Sequence, residues 1–120
     1  LEDHQKAAEK CARQLAKRLN LPDSYTEMLA IAARLHDEGK RAPNWQRAFN
    51  APTDGVYAKT EGPINHSILN GYRHEFKSVE VASRHEELLK LPNELQELAI
   101  HLIAAHHGYA RPVIGVEGCD

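Results

Sequence analysis

Histidine and aspartate stand side by side at His36-Asp37, followed by Glu38-Gly39-Lys40, and three further histidine stations occur in the chain: His4, Arg73-His74-Glu75 and His106-His107-Gly108. Adjacent imidazole and carboxylate make a metal-ligand pair for Zn, Mn, Fe, Co or Ni when other residues complete it, and a carboxylate with two oxygens can bridge two ions. If these stations form one site, the fold must bring its first, second and last helices to one point. Eight histidines in 120 residues is a load that asks for such a reason.

The pattern between the stations is helical. Strong helix formers run from Glu2 to Asn20, and His4, Ala8, Cys11, Leu15 and Leu19 recur at helical spacing, which predicts a buried stripe carrying His4. Leu21-Pro22-Asp23-Ser24 stops that helix and caps a second, whose inward face is Met28, Ile31, Ala32 and Leu35 and whose last residue is His36. Gly39 is expected just past its end in the left-handed conformation. Ala42-Pro43-Asn44 opens a short amphipathic turn with Trp45 and Phe49, and residues 50–63 read as a surface loop. A short helix is expected from Ile64 to Gly71, and another from the Tyr72-Arg73-His74-Glu75 segment to about Leu91. Asn93 and Gln96 resemble a capping box for the last helix, where Leu95, Ala99, Leu102 and His106 share a face. With no strand or repeat in this pattern, the expected fold class is all-α, about five to six helices with the histidines between them.

At 42% hydrophobic, 120 residues make one domain with one core. A formal charge of −2 announces no global basic field for nucleic acid, although bound divalent ions would reverse the sign locally. Cys11 and Cys119 have neither zinc-finger nor disulfide-scaffold spacing. No apolar run reaches membrane-spanning length and no signal-peptide core opens the chain, so a cytoplasmic protein without a membrane partner is expected. The start at Leu1, without an initiator Met, reads as a piece of something longer.

A single histidine on an apolar helical face is usually a core residue with a satisfied hydrogen bond. Together, His4, His36, Asp37, His74, His106 and His107 are better explained as metal ligands, because an aspartate among them cannot be buried unpaired at reasonable cost. His66, His85 and His101 fall outside the shared faces or motifs, and His66 is the first to reconsider. Lys40, one turn past two candidate ligands, can reach a phosphate oxygen. Arg41, Arg47, Lys59, Arg73 and Arg111 lie near the motifs together with Trp45, Tyr57, Tyr72 and Tyr109, and a basic rim with aromatic rings suits a single nucleic-acid strand. No G-x-S-x-G elbow, motif-adjacent cysteine or Gly-rich phosphate loop offers a competing covalent route.

A first-helix His, then His-Asp-x-Gly-Lys, Arg-His-Glu and Ala-His-His-Gly on an all-α chain resembles the HD superfamily, and most closely the HD nuclease domain of the type I CRISPR interference nuclease-helicase. The resemblance spans His4 to Arg111. It implies a compact HD-type helical bundle over residues 1–120, with one metal held by His4, His36 and Asp37, a second by His74, His106 and His107, and Asp37 bridging. It also implies that Lys40 lies near the scissile phosphate. The family's further acidic ligand, from a later Ala-Asp helix, has no counterpart in this chain, whose Asp120 ends a Gly-rich tail. The chain is therefore expected to be a fragment lacking a C-terminal helix, with weak activity.

The expected chemistry is metal-dependent phosphodiester hydrolysis, with a metal-activated water as nucleophile and Asp37 and Lys40 as the catalytic side chains. Imidazole-rich ligands favour Mn, Co, Ni or Fe over Mg. By resemblance, the substrate is single-stranded DNA, and the partners are a helicase domain in the same or another chain and an RNA-guided interference complex in antiviral defence. Two other functions use the same residues. An HD phosphohydrolase of nucleotides or cyclic nucleotides would need a closed pocket, and a non-catalytic metal-stabilised interaction domain would hydrolyse nothing.

Overall fold

A computed structural model describes residues 1–48, 50–57, 65–69 and 72–106, apart from the side chains of His66, Leu69 and Glu75. His107, Lys59, Arg111, Phe49 and the side chain of His66 thus lie outside the described residues. Every described element is helical: α1 (Glu2–Arg18), α2 (Asp23–Leu35), a 3₁₀ turn (Glu38–Arg41), α3 (Pro43–Ala48), α4 (His66–Leu69), α5 (His74–Ala82), α6 (Glu86–Leu89) and α7 (Asn93–Ala105). None of these helices is long and apolar enough to cross a membrane.

The helix α1 ends in a Schellman arrangement. Asn20 turns left-handed at φ 56°, its N–H bonds the Lys17 carbonyl, and the N–H of Leu21 bonds that of Ala16. Pro22 then opens α2, which packs against α1, α6 and α7. Met28, Ile31, Ala32 and Leu35 are buried as their spacing predicts, and join Ala82, Leu88, Leu95, Ala99 and Ile103 in the main core. Each of the larger side chains contributes about 1.5–3 kcal/mol by leaving water. A second cluster of Trp45, Ala48 and Tyr72 lies beside it.

Four sequence expectations need correction. The inward face of α1 runs through buried Gln5 and Ala16 with half-buried Glu9 and Ala12 between them, whereas Leu15 and Leu19 are 57% and 62% exposed. Ala12 and Ala16 let α1 lie close against α2, so the more hydrophobic stripe is not the packed one, and His4, expected on it, is exposed. The helix expected to reach Leu91 breaks after Ala82, because His85 caps α6 by accepting a hydrogen bond from the Glu87 N–H. The capping box at Asn93 is not formed. Pro92 precedes α7, and Gln96 instead donates to the carbonyls of Leu89 and Leu91. Gly39 lies inside the 3₁₀ turn without a left-handed φ, and close packing is what requires it: a Cβ there would stand 2.0 Å from the His74 carbonyl oxygen.

Candidate metal centre

Two helices end on histidines, and both use the same device. His36 is the C-cap of α2 and places Nδ1 against the Ala33 carbonyl at 2.5 Å, while His106 is the C-cap of α7 and places Nδ1 against the Ile103 carbonyl at 2.7 Å. A carbonyl near a helix C-terminus lacks its intrahelical donor, so a ring N–H satisfies it. That bond makes Nδ1 the donor, so Nε2 carries the lone pair when the ring is neutral and a second N–H when it is protonated, and both Nε2 atoms turn toward Asp37.

Asp37 is 3% exposed and follows His36 directly. Its two oxygens face different partners. His4 Nε2 lies 2.9 Å and His36 Nε2 3.2 Å from Oδ2, whereas His74 Nε2 lies 3.1 Å and His106 Nε2 3.5 Å from Oδ1. His74 and His106 approach each other at 3.3 Å through the same nitrogens. Lys40 adds its ammonium 3.2 Å from Oδ2. Burial works against the Asp37 charge, but hydrogen bonds from His106, His36 and His74 outweigh it and hold the carboxyl far below the usual carboxylate range. At His36, burial opposes the imidazolium and Lys40 adds to that. The hydrogen bond and charge of Asp37, with the Ala33 carbonyl, overcome both and raise its pKa.

The 3₁₀ turn and α5 fix the relative position of the two faces. Gly39 donates its N–H to Ser78 Oγ at 2.8 Å, Ser78 donates to the His74 carbonyl at 2.7 Å, and the Tyr72 hydroxyl donates to the Gly39 carbonyl. Buried Trp45 packs its ring 4.7 Å from that of His74, with the Lys40 ammonium 5.7 Å from its centroid. Ser78, Tyr72 and Trp45 therefore belong to the centre, although the sequence motifs do not include them. The signal for Ser78 is its place on the inward stripe His74-Ser78-Ala82, where a small polar residue interrupts an apolar face.

Of the site residues expected from sequence, His4, His36, Asp37, Lys40, His74 and His106 converge here. Arg41 turns its guanidinium to Glu38 and Gln5, Arg73 stacks 5.0 Å over the Phe76 ring at the start of α5, and Arg47 is exposed on α3. An apolar groove of about 440 Å³ adjoins the centre, lined by α1, α2 and α7 and ending at His36 and His106.

His4, His36 and Asp37 form one group whose donor atoms lie within 4.8 Å of one another, and Asp37, His74 and His106 form another. Imidazole nitrogens around a two-sided carboxylate are a donor set suited to divalent transition metals. No curated protein and no solved structure matches the chain. A family model described as Cas3, HD domain, matches residues 1–116, all of the histidine stations included. The bundle, the His-Asp cluster and that match place the chain in the Cas3 HD-domain family, whose function is metal-dependent nuclease action in CRISPR interference.

Proposed function

We propose that the chain forms one HD-type domain that cleaves single-stranded DNA, with His4, His36 and Asp37 holding one divalent ion and Asp37, His74 and His106, joined by His107, holding a second. The observation that carries this reading is the division of Asp37, one oxygen toward each histidine pair. When bound, such ions supply activated water and countercharge for phosphodiester hydrolysis. Asp37 remains ionised in its buried position. When neutral, His36 and His106 leave Nε2 unprotonated for a ligand bond, because their Nδ1 atoms donate to backbone carbonyls. Lys40 holds a cation beside Asp37 for a phosphate oxygen, and Trp45 shields one side of His74 from water. Arg47, Arg73, Lys59 and Arg111 attract the strand, which a helicase domain of the interference machinery presents.

Purified chain incubated with Mn²⁺, Co²⁺, Ni²⁺ or Mg²⁺ and with single-stranded DNA, duplex DNA, RNA or mononucleotides tests this. Cleavage is expected on single-stranded DNA, and more with the first three ions than with Mg²⁺. Hydrolysis of mononucleotides alone would refute it. The groove beside His36 and His106 is open and apolar, not the closed pocket that nucleotide hydrolysis needs, which ranks that reading below strand cleavage.

A further inference from the structure

Four polar side chains are buried among the described residues: Gln5, Asp37, His74 and Ser78. Three belong to the centre already described, and Gln5 is the fourth. It closes a ring of hydrogen bonds with two residues of the 3₁₀ turn. Gln5 Nε2 donates to Glu38 Oε1 at 3.1 Å, Arg41 Nη2 donates to Gln5 Oε1 at 2.9 Å, and Arg41 Nε donates to Glu38 Oε2 at 2.7 Å. The Glu38 side chain is 17% exposed, so its bond to the guanidinium is charge-assisted in a partly dry place. The ring touches the centre at two points in sequence, since Gln5 follows His4 and Glu38 follows Asp37.

His4 is the member of the centre that most needs such support. It sits in the first turn of α1, its side chain is 48% exposed, and helix ends fray. His36 and His106 are oriented through Nδ1 by their own helices, and His74 is buried under Trp45. No carbonyl among the described residues does the same for His4. Its distance to Asp37 depends on where the start of α1 lies against the 3₁₀ turn. The exposed bond from the Leu1 amino group to the Val56 carbonyl is another tie there, but it anchors to a different segment.

We propose that Gln5, Glu38 and Arg41 are positioning residues that clamp the start of α1 to the 3₁₀ turn and so hold His4 Nε2 on the Oδ2 side of Asp37. This rests on the reading of His4, His36 and Asp37 as a metal site. Arg41 is then part of the clamp rather than of the strand-binding rim, because Glu38 already neutralises it.

Stepwise Co²⁺ titration by calorimetry tests the clamp on the 120-residue chain, with His4→Ala identifying the ion that depends on His4. Gln5→Ala and Arg41→Ala should weaken that ion by roughly tenfold or more, the usual effect of removing a residue that orients a ligand, and leave the other within about twofold. Glu38→Gln, which keeps an acceptor toward Gln5, should lose less. Arg41 lies nearer the surface, so Arg41→Ala decides the matter if Gln5→Ala does not fold. Equal weakening of both ions in step with a lower melting temperature would show that the ring only stabilises the bundle, and unchanged titrations would show that it does nothing for His4. Either result overturns the proposal while the metal reading survives. A wild-type chain that takes up no ion removes both.

Discussion

Gly39→Ala probes the tightest contact in the centre. The added Cβ would stand 2.0 Å from the His74 carbonyl oxygen, 2.8 Å from its carbonyl carbon and 2.9 Å from its Cα, all backbone atoms, whereas real Cβ contacts essentially never fall under 3.0 Å. The 3₁₀ turn and the start of α5 must therefore separate by about 1 Å, since packed backbone has no side-chain rotamer to yield. That movement takes the 2.8 Å bond from Gly39 to Ser78 out of hydrogen-bonding range and strips a buried N–H of its partner. An unsatisfied buried donor costs about 1–3 kcal/mol and overpacking a similar amount, and the two partly overlap, so a loss of about 2–4 kcal/mol follows. A domain of this length unfolds with an entropy of about 250 cal/mol/K, which converts the loss to about 8–16 °C in melting temperature. The same shift draws His74 away from Asp37, so metal uptake should weaken as well. Gly55→Ala is the control, because its Cβ would meet only the Tyr57 ring at 3.7 Å. Circular-dichroism melts and metal titrations of both variants decide the matter. A Gly39→Ala protein that melts within about 3 °C of the wild type, or no lower than Gly55→Ala, would refute the close-approach argument.

Asp37→Ala should abolish metal-dependent cleavage and uptake on both faces while leaving the far-ultraviolet helical signal in place; cleavage surviving removal of contaminating nuclease would end the bridging role. Lys40→Ala should slow turnover and spare metal uptake, and a loss of uptake would make Lys40 structural. Because Asp37 holds His36 above its ordinary value of 6.5, protons compete with metal from a higher pH than for a free imidazole, and uptake measured between pH 5 and 8 should already decline above 6.5. Affinity constant down to pH 6 would contradict this. Cleavage of single-stranded DNA should weaken steeply with salt, and Arg47→Ala should flatten that dependence more than Arg41→Ala, whose charge Glu38 already pairs.

The histidine stations and the faces of α2 and α7 could be read from the sequence because helical period and motif point the same way there. Leu95, Ala99 and His106 recur on one side of α7, and the packing follows. The face of α1 could not, because two stripes share the helical period and hydrophobicity alone prefers the one with Leu15 and Leu19. What decides is how closely backbones approach, and Ala16 at 0% exposure allows a contact that leucine would prevent. The break between α5 and α6 carries no Pro or Gly, and its cause is a histidine acting as an N-cap, a role the propensity of that residue does not announce. Gly39 was legible as indispensable but not for the right reason, since close approach to another segment leaves no mark in local sequence.

The two helix-terminal histidines show what a sequence can carry when local and global demands coincide. A histidine one residue past a helix has a carbonyl three residues back in reach of Nδ1, so the backbone itself makes Nδ1 the donor, as the bonds to Ala33 and Ile103 do here. Nε2 is then aimed outward from the helix end, a lone pair in the neutral ring and a donor in the protonated one. One such residue is only a cap. When two helices that pack together, α2 and α7, both end this way, their Nε2 atoms arrive at the same end of the bundle, and the aspartate following the first of them meets both. The burial of Asp37 thus follows from where two helices stop, and its charge is tolerated there because imidazole nitrogens and the Lys40 ammonium surround it.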